Sequence, residues 1–204
     1  RTRERAEAFA AEHGATVAAD PAAVAAAADA VFISVSADAD LLEVVDALVP
    51  GLAPGKAVID TSTVAPDTAR TAAERVRAAG AELLDAPVSG GPEGARQGTM
   101  VMMAGGDAAT LERIRPLLEP VCSAAHHMGP SGAGQATKAV NQIVVAGVIQ
   151  GVAAGLAYGE GQGLDLEQVI EVVGAGAAGN WQLRNRGPNV AQGRFPPGFK
   201  LALH

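Results

Sequence analysis

The 204 residues are 49% hydrophobic and 18% charged, so the chain can bury a sizeable core and wholesale disorder is excluded. The net charge of −7 argues against non-specific binding to nucleic acid. The single cysteine, Cys122, excludes an intramolecular disulfide framework and fits a reducing compartment, and we assign it to the core. The apolar stretch from Ile143 to Leu156 is interrupted by glycine and is shorter than the roughly 18 residues that a membrane span needs. We therefore predict a cytoplasmic protein with no transmembrane segment.

The first two thirds of the chain alternate between helical and strand patterns. Helices are predicted over 3–13, from Asp20-Pro21 onward, and over 39–48, 66–79 and 108–118. Strands are predicted over 16–18, 30–35, 57–60, 82–86, 99–104 and 121–127. From Ser131 onward no strand pattern occurs, and helices are predicted over 132–163, 165–174 and 180–191.

This order of elements predicts an α/β fold with a doubly wound parallel sheet, because strands alternating with helices imply right-handed crossovers. An all-α domain follows, joined to the sheet by the long helix. We place the two domains at 1–130 and 131–204. Ligands of such sheets bind beyond the carboxyl ends of the strands. The loops in that position follow Val35, Asp60, Ala86 and His127.

The most unusual loop runs from Asp85 to Thr99 and is rich in glycine. Its Ser89, Gly90 and Gly91 offer a hydroxyl group and two unhindered backbone N–H groups. Such an arrangement suits a small carboxylate, so this segment is a candidate substrate site. The alternative interpretation is an ordinary glycine-rich turn.

The long helix carries polar side chains near its start. The Gly-Ala-Gly sequence at 132–134 is interpreted as allowing the backbone to approach a ligand closely. Lys138 follows in apolar surroundings, where desolvation would lower its pKa and make it a usable proton donor. Asn141 and Gln142 lie three and four residues further along and share a helix face with Lys138, so Asn141 can hold either the ammonium group or a substrate oxygen. The alternative is a surface lysine whose ammonium group reaches solvent.

A third polar stretch, from Asp60 to Thr63, directly follows a predicted buried strand. Two interpretations remain open for it. Its hydroxyl groups are suited to contact a cofactor, and they are equally suited to cap the helix that Pro66 begins. The candidate caps are Ser62, Thr63 and Asp67.

The sequence predicts no metal site. His126 and His127 are adjacent on a strand and point to opposite faces, so they do not readily bind one ion. No other His, Cys or carboxylate group has the spacing of metal ligands. Neither a Gly-x-Ser-x-Gly nucleophile elbow nor a P-loop lysine is present.

Four segments resemble the β-hydroxyacid dehydrogenase family, which includes 3-hydroxyisobutyrate dehydrogenase and tartronate semialdehyde (2-hydroxy-3-oxopropionate) reductase. DAPVSGGPEGARQGTMVMMAGG (85–106) is similar to the substrate-binding signature of this family. GPSGAGQATKAVNQ (129–142) resembles the segment that holds its catalytic lysine. DTSTVAP (60–66) resembles a cofactor-binding turn, and GPNVAQGRFPPGFKLALH (187–204) resembles the approach to a C-terminal Lys-Asp pair. The resemblance therefore covers the whole chain.

The resemblance implies a Rossmann-type domain followed by a helical domain. It also implies a reversible, nicotinamide-dependent interconversion of a β-hydroxy acid with its semialdehyde. In this sequence Lys138 matches the catalytic lysine, which is the general acid when the carbonyl is reduced, and Asn141 matches the residue that assists it. We assign substrate binding to Ser89, Gly90, Gly91 and Gln142.

The resemblance places cofactor contacts on Thr63, on Val35-Ser36 and on Arg1-Thr2. Val35-Ser36 stands where the family usually has Leu-Pro, which is a departure from the pattern. Arg1 matches the end of the family's second strand, near the adenosine ribose. An arginine there can pair with a 2′-phosphate, so we expect NADP, with NAD as the alternative.

Two further departures concern the ends of the sequence. The family's Gly-x-Gly-x-x-Gly loop is expected on a strand before Arg1, and its Lys-Asp pair is expected just past His204. We therefore expect the sequence to be a fragment that lacks its first βαβ unit, and we expect the fragment alone to be inactive.

Asn141-Gln142 and Leu203-His204 resemble tartronate semialdehyde reductases more than hydroxyisobutyrate enzymes. The alternatives are an imine reductase, which typically replaces the lysine, and a non-catalytic oligomerising member of the same superfamily. The resemblance also implies a homo-oligomer, a dimer or tetramer, formed through the helical domain. Three side chains are candidates for shaping the substrate pocket: Trp181, Gln182 and Phe199. For Trp181 and Phe199 the alternative is packing in the core.

Overall fold

The computed structural model describes residues 2–195. The chain divides into two compact units, one ending at Lys138 and one beginning at Ala139. This boundary lies inside the long helix, and the domain limits 1–130 and 131–204 stay a prediction.

The first unit is a layered α/β structure. Its helices are α1 (Arg3–His13), α2 (Pro21–Ala27), α3 (Asp38–Leu48), α4 (Pro66–Ala78), α5 (Gly91–Gln97) and α6 (Ala108–Leu118). Its strands are β1 (Ala30–Ile33), β2 (Ala57–Asp60), β3 (Glu82–Asp85), β4 (Val88–Ser89), β5 (Met100–Gly105) and β6 (Cys122–Gly129). The strand order is β1-β2-β3-β5, with β4 and β6 also paired to β5.

The central strands β2 and β3 are almost entirely buried because helices cover both faces of the sheet there. Alternation along β2 and β3 places Val58 and Leu83 in one core cluster and Ile59 and Leu84 in the other. The first cluster is completed by side chains of α2, α3 and α4, and the second by side chains of α6. Cys122 lies in the second cluster, so its assignment to the core is confirmed. The predicted α/β class is likewise confirmed.

The sheet differs from the prediction in the direction of β5. Strands β1, β2 and β3 run parallel, as do β5 and β6, but β5 is antiparallel to β3 and to β4. The segment 85–99, predicted to be a loop, contains β4 and the short helix α5. A parallel connection needs a crossover of about a dozen or more residues. Here the chain passes from β3 into β4, and both strands pair with β5. The strand β5 therefore runs antiparallel to them.

The strand predicted over Thr16–Ala18 is wrong. These residues have no regular secondary structure. A strand is stabilised by the ladder it forms with a neighbour, and no strand among residues 2–195 pairs with this segment. The remaining predicted helices and strands are present, with ends shifted by at most a few residues.

The long helix, α7 (Ala133–Gly161), begins in the first unit and continues into the second. The second unit also contains α8 (Leu166–Ala175) and α9 (Trp181–Ala191). Asp165 and Asn180 cap these two helices through hydrogen bonds from backbone N–H groups. The small core of this unit is built from Leu156, Ile170 and Leu183.

By length and composition α7 could cross a membrane. Its 29 residues include a window of mean hydropathy 1.6, of which 6% is buried. The sequence-based argument that the apolar stretch is too short is therefore wrong, because the helix extends well beyond Ile143–Leu156 in both directions. Length and composition are weak evidence of a span, since core helices share them. The exposed apolar surface of α7 nevertheless calls for a physical explanation.

Candidate active site

Two buried carboxylates mark the carboxyl ends of β2 and β3. Asp60 and Asp85 are register partners on the neighbouring strands, and both are fully buried. Burial raises the pKa of both groups above the usual range. Hydrogen bonds from Gly132 and Gln135 oppose this shift at Asp85. Within residues 2–195, Asp60 Oδ2 has no hydrogen-bond partner.

Asp85 fixes the start of α7 to the sheet. Gly132 N donates to Asp85 Oδ1 at 2.8 Å, and Gln135 N donates to Asp85 Oδ2 at 2.9 Å. A carboxylate is favoured at the amino end of a helix, where free N–H groups and the helix dipole attract negative charge. A Cβ atom at Gly134 would lie 2.3 Å from the carbonyl oxygens of Asp85 and Met103. The Gly-Ala-Gly segment therefore lets the helix approach the sheet, whereas the sequence-based interpretation was approach to a ligand.

A second set of hydrogen bonds joins the loop after β1, the turn after β2 and α7. Ser62 Oγ accepts from Val35 N at 2.9 Å. Gln135 Nε2 donates to Ser62 O at 2.9 Å, and Val64 N donates to Gln135 Oε1 at 3.2 Å. Ser62 N in turn donates to Asp60 Oδ1 at 3.0 Å. The two loops and the first turn of α7 thus share one buried polar network.

The capping interpretation of the turn after β2 is wrong. The N-cap residue of α4 is Ala65, and no side chain of that turn caps the helix. Asp38, at the start of α3, instead binds the residues around the start of α4: its Oδ1 accepts from Ala65 N at 2.9 Å and from Thr68 Oγ1. Ser62 Oγ accepts from Val35 N instead, and Thr63 is exposed.

Lys138 lies in the second turn of α7 and is partly buried. Burial lowers the pKa of its ammonium group, as the sequence predicted. Within residues 2–195 the ammonium group makes no hydrogen bond or ion pair. A desolvated cation without a protein partner can interact with an anionic or developing negative charge on a ligand.

Asn141 and Gln142 follow on α7 and are partly buried. Asn141 Nδ2 donates to Gln142 Oε1 at 3.0 Å, so the two amides orient each other. The assistance of Lys138 by Asn141 and the binding of substrate by Gln142 stay predictions.

Ser89, Gly90 and Gly91 form the junction between β4 and α5. Ser89 pairs with Val101 on β5, and both glycines have positive φ angles, 137° and 62°. Such angles favour glycine and make the turn into α5 possible. The start of α7 contacts Met103 on the same strand, two residues from Val101, which is about 7 Å along a strand. Ser89 and the start of α7 therefore lie against neighbouring parts of β5.

The predicted cofactor residues lie in two different regions of the first unit. Val35, Ser36 and Thr63 occupy the loops after β1 and β2, and the last two are exposed. Thr2 is the exposed N-cap residue of α1 and makes no side-chain capping bond. Arg1 lies outside the described residues, as does Phe199. Trp181 is 55% exposed at the start of α9, so the core-packing alternative does not hold for it.

Sequence reasoning missed the roles of Asp85 and Gln135. A charged residue that ends an apolar strand was a usable signal for Asp85, because a buried carboxylate needs donors. Nothing in the local pattern distinguished Gln135, whose partners lie 71 and 73 residues away along the chain. Within residues 2–195, no cluster of three or more His, Cys, Asp or Glu side chains is placed to hold a metal ion.

Comparisons with known proteins agree with this architecture. Residues 1–129 match the family model described as the NAD binding domain of 6-phosphogluconate dehydrogenase. Residues 132–204 match the model described as NAD-binding of NADP-dependent 3-hydroxyisobutyrate dehydrogenase. An uncharacterized oxidoreductase of Shewanella frigidimarina is 40% identical over 98% of this chain and 70% of its own length.

Two further relatives carry functional names. The 2-hydroxy-3-oxopropionate reductase of Escherichia coli is 39% identical over 74% of this chain and 51% of its own length. The structure of Mycobacterium tuberculosis 3-hydroxyisobutyrate dehydrogenase with L-serine superposes with a TM-score of 0.88 at 32% identity, covering 98% of this chain and 71% of that one. A Streptomyces aurantiacus imine reductase, at 24% identity and a TM-score of 0.79, shares the fold.

The chain belongs to the β-hydroxyacid dehydrogenase family, whose members are NAD(P)-dependent oxidoreductases. It spans 51% to 70% of the length of the two sequence relatives described above. The predicted family and the NAD(P) cofactor class are confirmed.

Proposed function

We propose that the protein containing this chain interconverts a small β-hydroxy acid and its semialdehyde, with Lys138 as the general acid in reduction and the general base in oxidation. The observation that carries the proposal is the partly buried ammonium group of Lys138. It has no partner within residues 2–195, and desolvation lowers its pKa. The helix that bears it is fixed to the carboxyl edge of the sheet by Asp85.

The nicotinamide, when bound, supplies hydride to the carbonyl carbon or accepts it from the alcohol. Negative charge then develops on the substrate oxygen during reduction, and the Lys138 ammonium group stabilises it and donates the proton. A lowered pKa suits this role, because proton donation is most effective when the donor pKa lies near the working pH. Asn141 holds the ammonium group or the substrate oxygen in place.

The substrate carboxylate is assigned to Ser89 and to the backbone N–H groups of Gly90 and Gly91, with Gln142 as a further contact. The named relatives act on or were solved with 3-hydroxyisobutyrate, 2-hydroxy-3-oxopropionate or L-serine. All three compounds carry a carboxylate and an oxygen on the β-carbon, which is the pattern these groups would recognise. Within this class we favour the semialdehyde of tartronate, from the sequence of 141–142.

The residues present fit the nicotinamide half of the cofactor. Ser36 and Thr63 expose hydroxyl groups on two adjacent loops at the carboxyl edge, and the Ser62 network fixes the backbone of those loops. Thr2 and Arg1 are assigned to the adenosine ribose. An arginine at that position favours the 2′-phosphate, so we propose NADP over NAD.

Substitution of Lys138 tests the proposal in the full-length protein. In Lys138→Ala we expect the rate of aldehyde reduction to fall about 10²- to 10⁴-fold, while a carboxylate substrate analogue still binds. Lys138→Arg keeps the charge but donates a proton poorly, so it should recover binding more than turnover. Steady-state kinetics with NADPH and NADH measure both the loss and the cofactor preference. Full turnover in Lys138→Ala would reject the role of Lys138, and a strong preference for NADH would reject that of Arg1.

Lys138 also argues against the two alternative functions, an imine reductase and a non-catalytic member of the superfamily. An imine reductase of this fold typically replaces the lysine, and a non-catalytic member would be expected to have lost it. Assays of the full-length protein with cyclic imines and with β-hydroxy acids discriminate between the three possibilities.

We also propose that the protein is a cytoplasmic homo-oligomer. In the single chain α7 exposes a row of large apolar side chains, which a second copy of the chain would cover. The most exposed of them are Val140, Ile143, Val144 and Tyr158.

A further inference from the structure

Gln135 connects the turn after β2, which the proposed function assigns to the cofactor, with the helix that carries Lys138. Its side chain is 1% exposed, and both ends of its amide are used. The nitrogen donates to Ser62 O at 2.9 Å, and the oxygen accepts from Val64 N at 3.2 Å. The two backbone groups flank Thr63, so this single amide brackets the residue assigned to the cofactor.

The orientation of the amide is determined by its partners. In the reverse orientation the amide nitrogen would face the N–H group of Val64 and the amide oxygen would face the carbonyl of Ser62. Both contacts would be repulsive, and two buried backbone groups would lose their hydrogen bonds. Among side chains that are neutral at pH 7, only glutamine offers this donor and acceptor pair at the same length.

The backbone of Gln135 is fixed independently of its side chain. Its N–H group donates to Asp85, and the neighbouring Gly134 lies against the carbonyl oxygens of the sheet. Lys138 follows three residues later, almost one turn along the same helix. Less than one helical turn therefore connects Gln135, which holds the turn at 62–64, with Lys138. The start of this helix is hydrogen-bonded to Asp85 on the sheet.

We propose that Gln135 is a positioning residue that sets the cofactor turn at 62–64 relative to Lys138. It touches no reacting atom. It acts by keeping the backbone of this turn at a constant distance from the proton donor. The nicotinamide side of the cofactor would bind against that backbone. The inference rests on the proposed function, because it assigns Thr63 to the cofactor and Lys138 to proton transfer.

Three variants of the full-length protein test this role. Gln135→Met keeps the length of the side chain and removes both hydrogen bonds. Gln135→Glu keeps the acceptor for Val64 and, while ionised, lacks the donor for Ser62. Thr110→Val is the control: Thr110 is 5% exposed and its hydroxyl donates to Asp107 at 2.8 Å, so the change removes a buried hydrogen bond at the start of α6.

Two readouts are needed, one of them independent of turnover. We expect Gln135→Met to weaken NADP⁺ binding about tenfold by calorimetry and to lower kcat about 10²-fold, with KM for the carboxylate substrate nearly unchanged, since small misplacements of reacting groups cost about that factor. Thr110→Val should leave NADP⁺ affinity and kcat within about twofold of wild type, even if it lowers thermal stability as much as Gln135→Met does.

The glutamate variant supplies a signature that a purely structural residue would not give. A protonated carboxyl group donates through its O–H group and accepts through its carbonyl oxygen, as the amide does. The kcat of Gln135→Glu relative to wild type should therefore rise as the pH falls and the carboxyl group becomes protonated. Gln135→Met should show no such recovery.

The outcomes separate this inference from the proposed function. Wild-type kcat and NADP⁺ affinity in Gln135→Met would overturn the inference, whatever Lys138→Ala does. A kcat ratio for Gln135→Glu that stays low at every pH would also overturn it. Full turnover in Lys138→Ala would overturn the proposed function, while the effect of Gln135→Met on NADP⁺ affinity would still decide whether Gln135 sets the cofactor turn.

Discussion

Gly134 is a glycine because the sheet leaves no room for a side chain there. A Cβ atom would lie 2.3 Å from two backbone carbonyl oxygens, those of Asp85 and Met103, which cannot move without disturbing β3 and β5. The facing residue on the sheet, Gly105, is equally constrained, because its Cβ would lie 2.6 Å from Asp85 Oδ1. The two glycines let the start of α7 rest directly on the sheet.

Gly134→Ala should therefore destabilise the fold. Overpacking against backbone typically costs about 1–3 kcal/mol, and the backbone contacts here put this site at the upper end or beyond. Gly147→Ala on the same helix is the control, since a Cβ there has no neighbour within 4 Å. It should stabilise the fold by roughly 0.5–1 kcal/mol through helix propensity. Urea unfolding curves measure both changes, and equal effects of the two substitutions would contradict the packing argument.

At the scale of elements, Asp38 ties the start of α3 to the start of α4. Its carboxylate accepts hydrogen bonds from Thr68 and from Ala65 N, and these bonds lower its pKa below the usual value. Because the folded-state pKa is depressed, the stabilisation is complete above the unfolded-state pKa and is lost as the pH falls through the folded-state pKa.

Asp38→Ala should cost about 1 kcal/mol at pH 7, less than hydrogen bonds to a charged acceptor typically contribute, because the carboxylate is exposed. The difference from wild type should shrink as the pH falls below about 4, where the wild-type carboxylate becomes protonated. Urea unfolding at pH 7 and at pH 3 measures the two differences. A difference that is constant with pH would mean that the charge of Asp38 does not contribute.

The elements themselves were largely predictable from periodicity and from helix caps. Asp20 followed by Pro21 begins a helix, and the side chain of Asp20 accepts from Ala23 N as a cap should. The short helix α5 was not predictable, because its seven residues include two glycines and a proline and depend on contacts with β5. The antiparallel direction of β5 was not predictable either, because it depends on how β4 pairs and not on local composition.

The candidate site was predictable only in part. Lys138 stands out in an apolar helix, and its lowered pKa follows from burial alone. The network of Asp85, Ser62 and Gln135 joins residues that are distant in the chain, so no local pattern reveals it. The sequence also contains Gly-x-Gly-x-x-Gly at 174–179, but this segment begins inside the last turn of the helix α8 and no strand leads into it. A motif of this kind identifies a nucleotide loop only between a strand and a helix.

At the scale of the whole molecule, the exposed apolar face of α7 predicts self-association of the full-length protein. Ile143 is 73% exposed and lies on α7 beside Val144, which is 59% exposed. Ile143→Glu should lower the mass measured by light scattering after gel filtration, because a charge in an apolar interface is costly. Gln168→Glu places the same charge at an exposed position of α8, away from the apolar face of α7, and should leave the mass unchanged. An unchanged mass in Ile143→Glu would show that a different surface forms the oligomer.

The central claim is that Lys138 donates the proton, and chemical rescue tests it most directly. In the full-length Lys138→Ala variant, small primary ammonium ions can enter the space that the side chain vacates and replace the missing proton donor. We expect the rate of aldehyde reduction to rise with amine concentration at constant ionic strength and to depend on the pKa of the amine. A rate that stays low at every amine concentration, in a variant that still binds cofactor and substrate analogue, would contradict the account.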